Sequence, residues 1–185
     1  MIIGVFYKGG SIMKIVGISG NPYPRSTNLG VLEKIGGELE KAGHTFEVIH
    51  SIKDLPLFNP QTEYQEYYEV VNQMREQIKA ADFVVIVSPE YMGGVPAILK
   101  NALEWMLSEA TLMQKPIAYV IHSPHGRLAY EALNTHLKIS GAITQDALKL
   151  LISYNKRLQK EDGWFEDEVI NKQLKALIQN ISDYK

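Results

Sequence analysis

Two segments carry residue types and spacings that can do chemistry. The first, Ser19-Gly-Asn-Pro-Tyr-Pro-Arg-Ser-Thr-Asn28, gathers hydroxyls, amides and one arginine just ahead of an apolar periodic stretch. A helix starting there presents unpaired N–H groups and about half a positive charge from its dipole, which together suit a phosphate. The same residues are ordinary helix caps and turn formers, so by itself this loop fits either role. It is not a Walker A loop, because no Gly-Lys-Ser/Thr follows the glycine, and not a Gly-x-Gly-x-x-Gly dinucleotide loop. The second segment, Ser88-Pro-Glu-Tyr-Met-Gly-Gly-Val-Pro-Ala-Ile-Leu-Lys-Asn-Ala-Leu-Glu-Trp105, leaves the apolar run Ala81–Val87 through a proline, a carboxylate, a tyrosine and two glycines. Its glycines let backbone approach a flat ligand closely, Tyr91 can stack, and loop amides can donate to ring carbonyls and nitrogens. Taken alone it reads as a simple turn with Glu90 capping or solvated. His122 and His125 stand three residues apart, but no carboxylate cluster accompanies them, so no metal site is expected.

Both segments need rigid elements behind them. Lys14–Ser19 is a short apolar run ending in small residues, as in a buried parallel strand. Leu29, Leu32, Ile35 and Leu39 then recur at helical spacing and Gly43 stops the helix. Phe46–His50 reads as a second strand, followed by a connection whose prolines, Pro56 and Pro60, forbid continuous helix. A helix from about Tyr64 to Ala80 precedes a third strand, Asp82–Val87, and the next helix begins with Pro96 at its first position. A fourth strand, Ile117–Ile121, leads through His122–Gly126 into a helix ending near Ser140. A fifth strand lies within Ala147–Ile152, and Val169, Ile170, Leu174, Leu177, Ile178 and Ile181 mark a closing helix. Alternating strands and helices predict an α/β fold with a parallel sheet wound on both faces. Five strands suit the flavodoxin-like three-layer sandwich of order 2-1-3-4-5, whose ligand crevice opens beyond the first and third strands. Both chemically equipped loops emerge there.

The chain of 185 residues is sized for one domain. Its 45% hydrophobic and 22% charged residues place it among globular proteins. A formal charge of -2 without a lysine and arginine run argues against nucleic-acid binding. The absence of cysteine excludes disulfides, thiolate nucleophiles and sulfur-rich zinc sites. No apolar segment approaches the ~20 residues needed to span a bilayer, and the N-terminus lacks signal-peptide organisation, so a cytoplasmic location without membrane contact is expected. Residues 1–12 form an N-terminal extension. Codons for Lys8-Gly-Gly-Ser-Ile12 can spell a ribosome-binding site ahead of a start at Met13; Ile2–Tyr7 can equally be a genuine strand. Residues 13–185 make the single domain in either case, and N-terminal mass spectrometry of the native protein decides the start.

Taken together, Gly17-Ile-Ser-Gly-Asn-Pro-x-x-Arg-Ser-x-Asn28 and Ser88-Pro-Glu-Tyr-x-Gly-x-x-Pro-x-x-Leu-Lys-Asn-Ala-Leu-Glu-Trp105 resemble the NADPH-dependent FMN reductases of the flavodoxin-like superfamily, a group with azobenzene, quinone and chromate reductases. The resemblance runs in order from about Met13 to Tyr184. It implies an FMN phosphate held by Ser19, Asn21, Arg25, Ser26 and Asn28. It implies an isoalloxazine lying along Pro89, Glu90, Tyr91, Met92 and Gly93, with Ser123, His125 and Gly126 as the far wall. The chain departs from the family at two points: Tyr23 stands where an arginine is common, with Arg25 two places later, and Met92 replaces the usual Asn or His.

The activity so implied is ping-pong hydride transfer from NADPH or NADH through FMN to a small electron acceptor, with Tyr91 or His125 as candidates to relay a proton. Two alternatives remain: a flavodoxin-like electron carrier that does not oxidise nicotinamide, and a reductase that supplies reduced flavin to a monooxygenase. A homodimer or homotetramer is expected. Tyr64, Tyr67 and Tyr68 read either as an aromatic lid over a partner's site or as simple packing, and Trp105 as core or interface.

Overall fold

The computed structural model describes residues 11–64, 68–153, 160 and 163–185. The expected strand Ile2–Tyr7 and Tyr67 therefore lie outside the described residues. Five strands, β1 (Lys14–Ser19), β2 (Thr45–Val48), β3 (Phe83–Ser88), β4 (Ile117–Ser123) and β5 (Lys149–Ser153), form one sheet of order β2-β1-β3-β4-β5 with every pairing parallel. The helices are α1 (Thr27–Lys41), α2 (Glu69–Lys79), α3 (Ala97–Ser108), α4 (Arg127–Ile139) and α5 (Glu168–Ser182). This is the flavodoxin-like order that the alternation of elements predicts. No helix among the described residues is long and apolar enough to cross a membrane.

Strand side chains alternate between two cores, as the two-residue period of a pleated strand requires. Val16, Ile18, Val84, Ile86, Tyr119 and Ile121 pack under α2, α3 and α4. Ile15, Phe83, Val85, Val87, Ala118 and Val120 pack under α1 and α5. Every residue of β3 and β4 is buried, which is why β3 shows no polar alternation at all. Burial on both faces fixes the register, because a slip of one residue would exchange the two cores. The strand ends are staggered: Ser19 pairs with Val87, one residue short of the end of β3; Ser88 pairs with Ile121, two residues short of the end of β4; and Ser123 pairs with Ser153.

Several boundaries differ from expectation; β2, for one, spans Thr45–Val48 rather than Phe46–His50. Tyr64 lies in a turn, and α2 begins only at Glu69, after an extended Tyr68. The preceding turn is held by Thr62 and Glu63 N–H groups donating to Asn59 O. Glu63, itself buried, pairs at 2.7 Å with Arg75, whose guanidinium also donates to Trp105 O and Ser108 Oγ. That ion pair ties the turn at Glu63 to α2 and α3. Tyr64 is exposed, whereas Tyr68 meets Trp105 edge-on at 5.4 Å. Trp105 is a core residue whose Nε1 donates to Pro56 O. Pro96 is the cap before α3, one position ahead of expectation, since its carbonyl accepts from Leu99 and Lys100 while its ψ of 145° stays extended. β4 continues through His122 and Ser123, polar residues that nonetheless pair with Ile152 and Ser153 of β5.

Candidate functional site

Four strands, β1, β3, β4 and β5, end in serine. A short hydroxyl side chain readily bonds nearby backbone, and three of these serines close the turn where the chain leaves the sheet. Ser19 Oγ donates to Asn21 O at 2.8 Å and accepts from Asn21 N. Ser88 Oγ donates to Pro89 O, and Ser153 Oγ donates to His125 O. Loops 20–26, 89–96 and 124–126 thus leave from fixed points along one edge.

The first two loops touch through backbone. Gly20 N donates to Val87 O at 2.8 Å. A Cβ at position 20 would lie 2.3 Å from Ser88 Oγ and 2.8 Å from Ser88 Cβ, so only glycine permits this approach. Asn28 ties all three loops together. With its amide nitrogen turned toward the neighbouring carbonyls, it donates to Ser88 O and His122 O, each at 3.2 Å. It is almost fully buried.

The three loops enclose a cavity of about 350 Å³ lined by Asn21, Tyr23, Pro24, Arg25, Ser26, Thr27, Asn28, Pro89, Glu90, Tyr91, His122, Ser123 and Pro124. Of the residues expected from sequence, Asn21, Arg25, Ser26, Asn28, Pro89, Glu90, Tyr91 and Ser123 line it. Ser19 lies beneath it, spent on Asn21. Met92, Gly93, His125 and Gly126 do not line it. Gly126, with φ of 84°, caps α4, and His125 is exposed on the adjoining loop.

At one end of the cavity is the N-terminus of α1. Ser26 caps it, its hydroxyl accepting from Leu29 N at 3.4 Å. The Thr27 and Asn28 N–H groups, as first-turn amides, have no partner within the helix. Arg25 is exposed in a left-handed conformation (φ 65°) and makes no side-chain bond among the described residues. This donor set, two helix-end amides beside an arginine, fits a phosphate.

At the other end, Tyr91-Met-Gly-Gly94 is a tight turn closed by Tyr91 N to Gly94 O (2.9 Å) and Gly94 N to Tyr91 O (3.0 Å). Positive φ at Met92 (51°) and Gly93 (74°) makes it type I′. The Asn common in the family at position 92 thereby acquires a backbone reason, since the turn demands a left-handed residue, which Asn and Gly adopt most readily; Met92 takes that conformation here with its side chain fully in solvent. Tyr91 is held by Asn21, whose Nδ2 donates to the phenol oxygen at 3.0 Å. The phenol proton therefore remains available to a ligand. Glu90, half-buried, acts as a cap, but for α4 rather than for its own loop. It reaches across to α4, where Oε2 accepts from Ala129 N at 3.0 Å, favourably placed at a helix N-terminus.

His122 forms the inner wall, buried and edge-on to Phe165 at 5.2 Å. Burial pushes its imidazole down to about 4, so it is neutral near pH 7 and serves as wall rather than as acid. His122 is buried and His125 exposed, and no group of acidic or histidine residues able to hold a metal exists among the described residues. Thr27, read from sequence as a candidate donor at the phosphate loop, does line the cavity, whereas sequence reasoning missed four contributors to its walls: Tyr23, Pro24, His122 and Pro124.

Comparison with known proteins adds to this geometry. The NADPH-dependent FMN reductase profile matches residues 13–156. The chain is 30% identical over 175 residues to an NADPH azoreductase of Bacillus sp. (strain OY1-2), covering 94% of this chain and 95% of that protein. It is 31% identical over 128 residues to an NAD(P)H-dependent FMN reductase of Pseudomonas aeruginosa, covering 68% of each. Among solved structures, a flavoenzyme NAD(P)H:(acceptor) oxidoreductase from Paracoccus denitrificans superposes with a TM-score of 0.80 at 24% identity over 94% of this chain and 97% of that one, which speaks for the fold. The chain belongs to the NADPH-dependent FMN reductase family.

Proposed function

We propose that this protein is an FMN-dependent NAD(P)H oxidoreductase that reduces small acceptors such as quinones, azo compounds or flavins. The observation that carries this reading is the convergence on one cavity of a helix N-terminus equipped for phosphate and a glycine turn equipped for a flat ring. When bound, FMN supplies the hydride chemistry. The chain's own work is to bind, orient and exclude.

In this reading Thr27 and Asn28 amides, Ser26 and Arg25 neutralise the phosphate. The Pro89–Tyr91 backbone, which lines the cavity, would lie beside the bound ring, where the Glu90 N–H would stabilise negative charge developing on reduction, the same physics as an oxyanion hole. Tyr91, its oxygen already occupied by Asn21, presents a phenol proton toward the ligand. His125, exposed at the rim, is the second candidate to move a proton to the acceptor. Nicotinamide and acceptor use the same open face in turn, which makes the kinetics ping-pong.

We further propose a homodimer or homotetramer formed through α3 and α4. Exposed Leu107 and Ile139 flank a shallow groove of about 120 Å³ with Leu103 at its base, a face suited to burial against a second copy. A cytoplasmic location accompanies this reading, since the nicotinamide donor must be at hand. The decisive experiment is anaerobic addition of NADPH or NADH to the FMN-loaded protein. Rapid loss of the flavin absorbance, restored by a quinone or azo compound, is expected; slow loss with both nicotinamides identifies an electron carrier instead.

A further inference from the structure

A second, larger space adjoins the cavity between the three loops. A groove of about 1150 Å³ runs along the outer side of the first loop and the first two turns of α1. It shares Pro24, Arg25, Ser26 and Thr27 with the 350 Å³ cavity. The two spaces therefore meet at the N-terminus of α1, where the phosphate is placed, and not at the Tyr91–Gly94 turn.

The groove has an apolar floor of Pro22, Pro24 and Leu29. Around it stand Arg25, Lys34, His50, Lys53 and Lys160, opposed by the single carboxylate of Glu33. On a chain with formal charge -2, such a grouping is a local excess of positive charge. The charges are not all spent internally. Lys34 shares Glu38 at 3.2 Å and stands 4.5 Å from the Trp164 ring. Lys53 pairs only with its exposed neighbour Asp54, a contact of little strength. The side chains of Arg25 and His50 make no hydrogen bond or ion pair among the described residues.

An apolar floor between cations suits a ligand that is both flat and anionic. We propose that this groove binds the adenosine-phosphate half of a dinucleotide. The inference rests on placing the flavin phosphate at Thr27 and Asn28. From that point a ligand extended through its phosphate leaves the smaller cavity over Arg25, with Pro24 and Leu29 beneath the base and Lys53 and His50 beside the second phosphate. Two ligands carry this chemistry. One is FAD, in which the adenylate continues from the flavin phosphate. The other is NADPH, folding its adenosine end back along the first loop.

The test uses the full chain with Lys53→Glu and His50→Glu combined, two exposed positions that take no part in holding FMN. Fluorescence titration of the deflavinated protein measures FMN and FAD affinity, and steady-state kinetics of the FMN-loaded protein measures KM for NADPH. Unchanged FMN affinity with FAD weakened by roughly tenfold or more supports the proposal with FAD as occupant. Unchanged FMN and FAD affinity with KM for NADPH raised by a similar factor supports it with NADPH as occupant. FMN affinity intact with neither of the other values changed overturns the groove and leaves the flavin site standing. Failure of the unaltered protein to bind FMN overturns both.

Discussion

The polar residues around the candidate site fall into two rings that use their chemistry differently. The inner ring, Ser19, Asn28, Ser88, His122 and Ser123, is buried, and Ser19, Asn28 and Ser88 spend their hydrogen bonds on holding strand ends and loops in place. The outer ring, Arg25, Tyr91, Met92 and His125, is exposed, and Arg25 and the Tyr91 phenol proton are left free for a ligand. A residue type that attracts a chemical reading, such as serine or asparagine beside a helix, is thus often consumed as scaffold. Inner-ring changes are expected to lower stability first, and outer-ring changes to alter ligand affinity with the fold intact.

The largest effect expected of the inner ring is a pH dependence. Burial lowers the His122 imidazole from 6.5 to about 4. The unfolded chain therefore takes up a proton below about pH 6.5 that the folded chain refuses until about pH 4. Stability contributed by neutral His122 is complete above pH 6.5 and falls as pH drops through that window. A difference of about 2.5 units corresponds to roughly 3 kcal/mol. Urea unfolding at pH 7 and pH 4 should show this loss in the wild-type protein beyond that in His122→Asn. Parallel profiles for the two proteins would place His122 among residues without influence on acid stability.

Gly20→Ala is expected to follow. The added Cβ meets Ser88 Oγ at 2.3 Å, and separating β1 from β3 at their ends costs about 1–3 kcal/mol. Because this contact sets the spacing of the two loops, FMN affinity should fall together with thermal stability. Retained FMN affinity with a lowered Tm would show that the loops position the ligand independently.

How much of this was legible beforehand follows from where each signal resides. Strand order and the approximate extent of β1, β3 and α1 were readable because hydrophobic period and small terminal residues are local. The two loops were readable because glycine, proline and hydroxyl residues cluster in them. The start of α2 was not, since the Glu63–Arg75 pair that ties down the preceding turn joins residues on different elements. The end of β4 was not, because His122 and Ser123 look like loop residues until Ile152 and Ser153 pair with them. Glu90 reads as a local cap, yet its partner is Ala129, 39 residues on. Side chains were legible as types, whereas the division into inner and outer ring depends on tertiary contacts that no spacing reveals.

Asn28 and Arg25 give the most direct test of that division. Asn28→Ala removes donors to Ser88 O and His122 O and leaves buried carbonyls unsatisfied, at about 1–3 kcal/mol. Arg25→Ala removes no internal bond among the described residues, so its Tm should stay near that of the wild type. Loss of one charge-assisted contact to phosphate should weaken FMN binding by roughly tenfold, while turnover of the FMN-saturated protein changes less. Equal FMN affinity in wild type and Arg25→Ala would remove Arg25 from the phosphate end.

The smallest expected effect is a gain. Met92 occupies a left-handed position of a type I′ turn (φ 51°) with its side chain fully exposed, so it bears backbone strain without packing in return. Asparagine accepts this conformation more readily. Met92→Asn should therefore raise stability by about 0.5–1 kcal/mol and leave FMN affinity within about twofold, a change of roughly 0.4 kcal/mol. Chemical denaturation and a flavin titration of the same preparation measure both. A loss of stability instead would mean that the thioether is buried in the working protein, and the exposed apolar position would then belong to a contact between subunits rather than to the mouth of the site.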